Sequence, residues 1–288
     1  MGESLSDWLA LREAADASAR STALTSAVAE RLGRENPVRV LDLGTGTGSN
    51  LRYLLPHLGA NQHWVVVDHD ADVLSNLRPR MSTWAAEQGY EITSDARGLT
   101  VLGRGIVCVV EIRRVTLSTP DDATIFSDRH LVTASALLDL VSDGWIRSLA
   151  ARCREHDALV LFALTYDGRS RCSPTEPQDD MIRDLVNGHQ KRRETGAGRA
   201  AGPDAPQSAT TALAAVGYEV RQHMSDWVLP ANARAMQREL LRVWAGAALE
   251  IAPERKASIQ DWLARRLAHV DDVQSTITVG HQDLAAWR

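Results

Sequence analysis

The sequence predicts an α/β protein built on an open, mostly parallel sheet with helices on both faces. Three observations predict it. The β-branched apolar run "VRVLDL" ends on an acid and passes through a glycine-rich loop into a segment of helical period. A second apolar run, "HWVVVDHD", follows and again ends on an acid. Further apolar runs then alternate with segments of helical period as far as "TITVGHQDLAAWR".

The totals bound the answer. The chain has 288 residues, 44% hydrophobic and 24% charged, with a formal net charge of −5. That is enough chain for a sizeable core and an ordinary globular composition. The negative balance argues against a nucleic-acid partner. Cys108, Cys153 and Cys172 are odd in number and lack CxxC spacing, which predicts a reducing compartment and neither disulfides nor a zinc site. The nine histidines show no metal-ligand spacing, so no metal is expected. No run of about 18 apolar residues and no signal-peptide pattern is present, so the expectation is a cytoplasmic protein without a membrane partner.

The first elements are N-terminal helices over residues 1–36. Ser4 and Asp7 have capping-box spacing, and Leu24, Val28 and Leu32 make an apolar stripe that stops at Gly33. Arg12, Asp16 and Arg20 follow at steps of four, which suits a solvated salt-bridged face or, alternatively, a reach toward a ligand. "VRVLDL" is then a buried parallel strand, and a helix begins near Ser49 with Leu51, Leu54, Leu55 and Leu58 on one stripe. The glycines between them let the backbone turn tightly and let a ligand approach without a Cβ in the way. The helix start behind them offers free N–H groups to an anionic group.

Gly44, Gly46 and Gly48 give D-x-G-x-G-x-G with Asp42 leading, whereas a dinucleotide fingerprint needs a third glycine where Ser49 stands. Asp68 closes the second strand, 20 residues after Gly48, where a carboxylate can accept ribose hydroxyls. Together these residues resemble the first motifs of class I S-adenosylmethionine-dependent methyltransferases. The resemblance covers Val38 to Phe162 well and the end of the chain by topology. It implies a Rossmann-like, seven-stranded, mostly parallel sheet with an antiparallel last strand, and S-adenosylmethionine as cofactor. It places Asp42, Gly44, Thr45, Gly46, Gly48 and Asn50 around the methionyl part and Asp68 with His69 at the ribose. Thr116 and Leu117, or the acids Asp121 and Asp122, come at the adenine, where this chain departs from the usual acid-then-hydrophobe pair. Ala134 and Ser135 line the cleft by backbone, and Arg20 or Arg12 reaches the cofactor's carboxylate.

The remaining elements follow in order. "DADVLSNLRPRMSTWAAEQG" reads as a helix that Pro79 should kink or divide. "YEITSDARGLTVLGRG" reads as a hairpin turning near Asp95 to Gly98, and "IVCVVEIRRVTL" as the next buried strand. "DRHLVTASALLDLVSDGWIRSLAARC" is a fourth strand and its helix, and "ALVLFALTYDGRSRC" a fifth strand ending at Tyr166 to Gly168. Residues 169–210 shift toward Pro, Gly and charge. They read as a helical cap or lid insertion with a helix near Asp179 to His189. "TTALAAVGYEVRQHMSDWVL" is a helix and a sixth strand through Tyr218 to Val228; two helices broken at Pro253 and a last strand complete the chain. The whole reads as one domain, 1–288, with a cofactor-binding core at 37–168 and the C-terminal part of the sheet at 211–288.

Methyl transfer is an in-line displacement at a sulfonium carbon and needs neither metal nor acid at the donor. A base helps where the acceptor is a hydroxyl. His189 is the first candidate, beside the basic "KRR" end of its helix. Asp139 is the second, because an acid among Leu137, Leu138 and Leu140 invites a raised pKa. Both also have plain readings, as a solvated helix end and as an exposed acid near a helix start. Tyr166, Asp167, Asn187, Gln190 and Trp227 are the expected contacts to a small-molecule acceptor, with a homodimer as a candidate assembly. Two other readings stay open: an NAD(P)-dependent oxidoreductase, and a non-catalytic S-adenosylmethionine-binding regulatory module.

Overall fold

The computed structural model describes residues 5–116, 123–192, 194–195 and 198–288. Ser4, Leu117, Asp121 and Asp122 lie outside the described residues. Helices α1 (Leu5–Ala19) and α2 (Thr22–Leu32) come first, and Ser21 caps α2 by accepting from Leu24 N–H at 3.2 Å. Strand β1 (Val38–Leu43), helix α3 (Ser49–Leu54) and strand β2 (Asn61–Asp68) form the first parallel unit. Helices α4 (Ala71–Ser75) and α5 (Leu77–Gln88) follow, then the hairpin β3 (Glu91–Ser94) and β4 (Gly98–Gly103), then β5 (Ile106–Arg114). The hairpin turns where expected: one oxygen of Asp95 accepts the backbone N–H groups of Arg97 and Gly98. The helix divides at Asn76 rather than at Pro79, which lies in the first turn of α5, where its missing N–H costs nothing.

The second half contains α6 (Ala123–Phe126), β6 (Leu131–Ser135), α7 (Asp143–Glu155), β7 (Leu159–Ser173) and α8 (Asp179–Arg192). A two-stranded ribbon, β8 (Glu194–Thr195) with β9 (Gly198–Arg199), leads to α9 (Ala205–Ala215). Then come β10 (Glu219–Met224), β11 (Trp227–Leu229), α10 (Arg234–Ile251), α11 (Lys256–Asp271) and β12 (Thr276–Trp287). The main sheet runs β10-β12-β7-β6-β1-β2-β5-β4-β3, with β11 also paired to β12. Strands β5, β2, β1, β6 and β7 are mutually parallel, and β12 is antiparallel to β7 and β10. The α/β class and the antiparallel last strand are therefore observed; the hairpin β3–β4 extends the expected sheet at one edge. Strand order reverses between β1 and β6, which puts the ligand crevice of an open α/β sheet at their C-terminal ends.

Three expectations are corrected. The fifth apolar run does not end at Tyr166–Gly168, because β7 continues to Ser173 alongside β12. The sixth strand divides into β10 and β11. Strand β5 is buried on one face only: Val107 and Val109 are each 43% exposed, because only the short α6 lies between β5 and β6 among the described residues. Apolar side chains pack on both faces of the sheet, with α7 and α9 on one and α2, α3 and α5 on the other. A third cluster joins α8, α10 and α11 to the far end of β7 and β12, with Leu11 and Ala15 of α1 against it.

Candidate functional site

The loop between β1 and α3 is built by backbone geometry that glycine favours. Gly44, Gly46 and Gly48 have φ of 63°, 57° and 85°, a region costly for side chains with a Cβ. A Cβ on Gly44 would meet Leu137 Cδ1 at 3.1 Å, and one on Gly46 would meet Leu9 Cδ1 at 3.2 Å. Leucine side-chain ends, not backbone, therefore stand over the open faces of the loop. Asp68, at the end of β2, receives the loop: its Oδ2 accepts from Gly46 N–H at 2.9 Å and its Oδ1 from Asp70 N–H at 3.1 Å.

Asp42 is fully buried in β1, with Oδ1 accepting from Asn50 Nδ2 at 2.7 Å. Its Oδ2 is buried without a hydrogen bond of normal geometry. Burial raises its pKa to about 6; the Thr45 and Asn50 side chains and Arg20 oppose the rise, and Asp68 adds to it. Asn50 is the link to a buried cation: its Oδ1 accepts from Arg20 Nη1 at 2.9 Å, while Nδ2 also reaches Thr133 Oγ1 at 3.1 Å. Arg20 lies over the Tyr53 ring at 4.3 Å, and its Nε and Nη2 make no hydrogen bond among the described residues. A cleft of about 1000 Å³ opens beside α1, with Arg20, Asn50, Tyr53, Ser135 and Trp84 among its lining residues. Arg20 is therefore not on the solvated face its spacing allowed; the i, i+4 pair Arg12–Asp16 does form, at 2.8 Å.

A second group gathers where β7, β12 and α8 meet. Tyr166 donates its hydroxyl to Asn187 Oδ1 at 2.7 Å, and Asn187 Nδ2 donates to Gly168 O at 3.0 Å. Burial pushes the Tyr166 phenol above its usual range, and the charges of Asp167 and Asp139 push the same way. Asp139 is buried in a short 3₁₀ turn, Leu138–Leu140, just after β6. Asp167 is bound by Arg169, its Oδ2 2.6 Å from Nη2. Beside them, His281 stands 6.0 Å from the Tyr166 ring and 4.8 Å from the Trp227 ring, centroid to centroid. Two residues that lack a Cβ-free backbone adopt left-handed conformations here: Ala136 at φ 51° and Leu164 at φ 53°. Strain of this kind gathers at functional sites.

Several expected site residues stand elsewhere. His189 is not with this group; its ring nitrogen lies 2.8 Å from Glu250 on α10, on a partly exposed surface. Two helical steps turn a side chain by about 200°, so Asn187 and His189 face opposite ways. Trp227 has no open face for a flat substrate: Arg12 lies 5.2 Å over its ring, His281 tilts against it, and its indole N–H donates to Asp16 at 2.9 Å. Gln190 is partly buried, with Oε1 making no hydrogen bond among the described residues. His69 and Thr116 are exposed, and Ala134 is buried in β6 between β1 and β7.

The sequence reading missed Tyr53, His281 and Asp283. Asp283 carried a visible signal, an acid directly ahead of the apolar "LAAW" of the last strand. No group of three or more His, Cys, Asp or Glu side chains among the described residues is placed to hold a metal. Cys108, Cys153 and Cys172 are free and buried. No described helix is long and apolar enough to cross a membrane.

No family model matches the chain, and no curated protein matches it. Among solved structures it is similar to the YcgJ protein from Bacillus subtilis, at 14% identity over 93% of this chain and 99% of that one, with a TM-score of 0.47. It is similar to a SAM-dependent methyltransferase from Thiobacillus denitrificans in complex with S-adenosyl-L-homocysteine, at 12% identity over 100% of both chains, TM-score 0.45. It is also similar to the cyclopropane synthase MmaA2 from Mycobacterium tuberculosis, at 11% identity over 91% and 83%, TM-score 0.45.

Proposed function

We propose that this chain binds S-adenosylmethionine at the β1–α3 loop and transfers its methyl group to a small-molecule acceptor. The observation that carries the reading is the alternation Arg20–Asn50–Asp42. A buried cation and a buried carboxylate are held apart by one amide, and each keeps hydrogen-bonding atoms unused within the protein. Leaving such groups unpaired away from water costs several kcal/mol, roughly, per charge. An α-amino acid end carries the complementary pair: a carboxylate for Arg20 and an ammonium for Asp42. The residues present fit that end of the cofactor. Asp68, at the next strand end, retains acceptor capacity for ribose hydroxyls beyond the two backbone N–H groups it takes.

When bound, the cofactor supplies a methyl group on a positively charged sulfur. The work of the chain is placement. Arg20 and Asp42 fix the amino-acid end, Asn50 sets their separation, and the glycines leave no Cβ between the backbone and the ligand. Holding two reactants in line is worth roughly 7–11 kcal/mol of the barrier. Asp139 is the candidate to orient the acceptor or take its proton, since it is buried at the end of β6 and its charge is felt by Tyr166. The Tyr166–Asn187–Gly168 chain gives that side of the crevice a fixed polar wall. The net charge of −5 favours a small acceptor over nucleic acid, and the free cysteines suit the cytoplasm.

The test is calorimetric titration of the wild type, Asp42→Asn and Asp68→Ala with S-adenosylmethionine, S-adenosylhomocysteine and NAD. Binding of the first two, weakened in both variants, is the expected result. Binding of NAD alone overturns the reading. Binding without turnover across an acceptor screen would favour a regulatory module.

A further inference from the structure

The buried carboxylate of Asp283, on β12, is only 1% exposed and has no place in the loop or the crevice wall described above. Its Oδ1 accepts from Leu164 N–H at 2.8 Å, the residue of β7 held at φ 53°. Its Oδ2 accepts from Ser21 N–H at 2.8 Å, at the junction of α1 and α2. The same oxygen stands 3.7 Å from Arg20 Nε. At that separation Asp283 compensates the charge of the guanidinium without consuming one of its donors. Burial works to lower the pKa of Arg20, and the Asp283 charge is the largest influence opposing it. With Asn50 on Nη1 and the Tyr53 ring against its face, Arg20 is fixed on three sides. Nη2 remains uncommitted beside the cleft.

We propose that Asp283 is a positioning residue that holds the Arg20 guanidinium aimed at the cleft, so that the site selects ligands bearing a carboxylate at their amino-acid end. The inference rests on the reading of the site as one for S-adenosylmethionine. It adds a specificity determinant from the far end of the chain, on a strand that supplies nothing to the glycine loop. The carboxylate acts through Arg20 and does not touch the ligand.

The experiment compares three probes by calorimetry: S-adenosylmethionine, its decarboxylated form, and 5′-methylthioadenosine, which lacks the whole amino-acid end. In the wild type the first binds tightest. In Asp283→Asn the preference for the first over the second falls by about tenfold, the scale of one charge-assisted contact. Affinity for 5′-methylthioadenosine stays within about twofold, which also reports that the variant is folded. Asp283→Glu, which keeps the charge and both oxygens, restores most of the preference and serves as the second variant. The double variant Arg20→Ala with Asp283→Asn binds S-adenosylmethionine no more weakly than Arg20→Ala alone.

Equal loss for all three probes, or additive losses in the double variant, overturns the role of Asp283 while leaving the cofactor reading intact. So does an equal loss of preference in the Glu and Asn variants. Failure of the wild type to bind any of the three overturns the cofactor reading, and the inference with it.

Discussion

Arg20 and Asp42 are joined through a single amide: Asn50 accepts from one at 2.9 Å and donates to the other at 2.7 Å. The two charges are thus spaced by a group that can neither gain nor lose a proton in the ordinary range. Asp42 has its carboxyl raised to about 6 from the usual 3.8, chiefly by burial. A carboxyl with a raised native pKa binds its proton more tightly folded than unfolded. Its ionisation therefore costs stability as pH rises from about 4 to 6, and the cost stands in full above that window. The expected result is that Asp42→Asn is more stable than wild type at pH 8, by about 1–3 kcal/mol in urea, and not at pH 4. Affinity for the ammonium end should fall in the wild type below pH 6. An advantage of the variant over wild type no larger at pH 8 than at pH 4 would count against the buried ionised carboxylate.

His281 titrates in the opposite sense. Burial lowers its pKa to about 4, the Arg12 charge adds to the drop, and Val279 O, Asp167 and Asp226 oppose it. A neutral buried imidazole contributes stability that is present above pH 6.5 and lost as pH falls toward 4. His281→Gln should flatten the acid limb of the stability profile in that window. The check is urea midpoints at pH 7, 6, 5 and 4 for both proteins.

Ala136 occupies φ 51° and donates its N–H to Ala163 O at 2.9 Å. A left-handed alanine costs about 1–2 kcal/mol, and glycine returns part of that in unfolded-state entropy. Ala136→Gly is expected to be neutral or stabilising by up to about 1 kcal/mol, against the usual loss for this exchange. A clear loss of stability would show that the backbone there is not strained.

His189 and Asn187 sit two residues apart and should behave differently. The His189–Glu250 pair is exposed, so His189→Ala should change stability by less than about 1 kcal/mol and leave cofactor affinity unchanged. Asn187→Ala leaves the buried Tyr166 hydroxyl without its acceptor and should cost about 1–3 kcal/mol. Thermal unfolding of the two variants in parallel settles the contrast.

These pairs also show what the sequence could carry. The β1–loop–α3–β2 unit was legible because strand period, acid, glycines and helix period occur in succession within one short stretch. The β3–β4 hairpin was legible because Asp95 and Gly98 impose a turn locally. Grouping Asn187 with His189 failed because nearness in sequence is not nearness on a helix surface. Trp227 failed for another reason: its partners Arg12 and Asp16 lie on α1, far away in the chain. Asp283 escaped because its partners, Ser21 and Leu164, come from elements with no local signature linking them.

Strand β12 lies between β7 and β10 although both precede it in the chain. During synthesis, β10 therefore has no sheet neighbour to join until β12 has emerged and filled the slot. Asp283, which we propose positions Arg20, arrives with that same strand, so it cannot face the guanidinium before β12 is in place. A chain without β12 would carry the whole glycine loop, with Asn50 and Tyr53 beside Arg20, and would lack the buried carboxylate that faces its guanidinium.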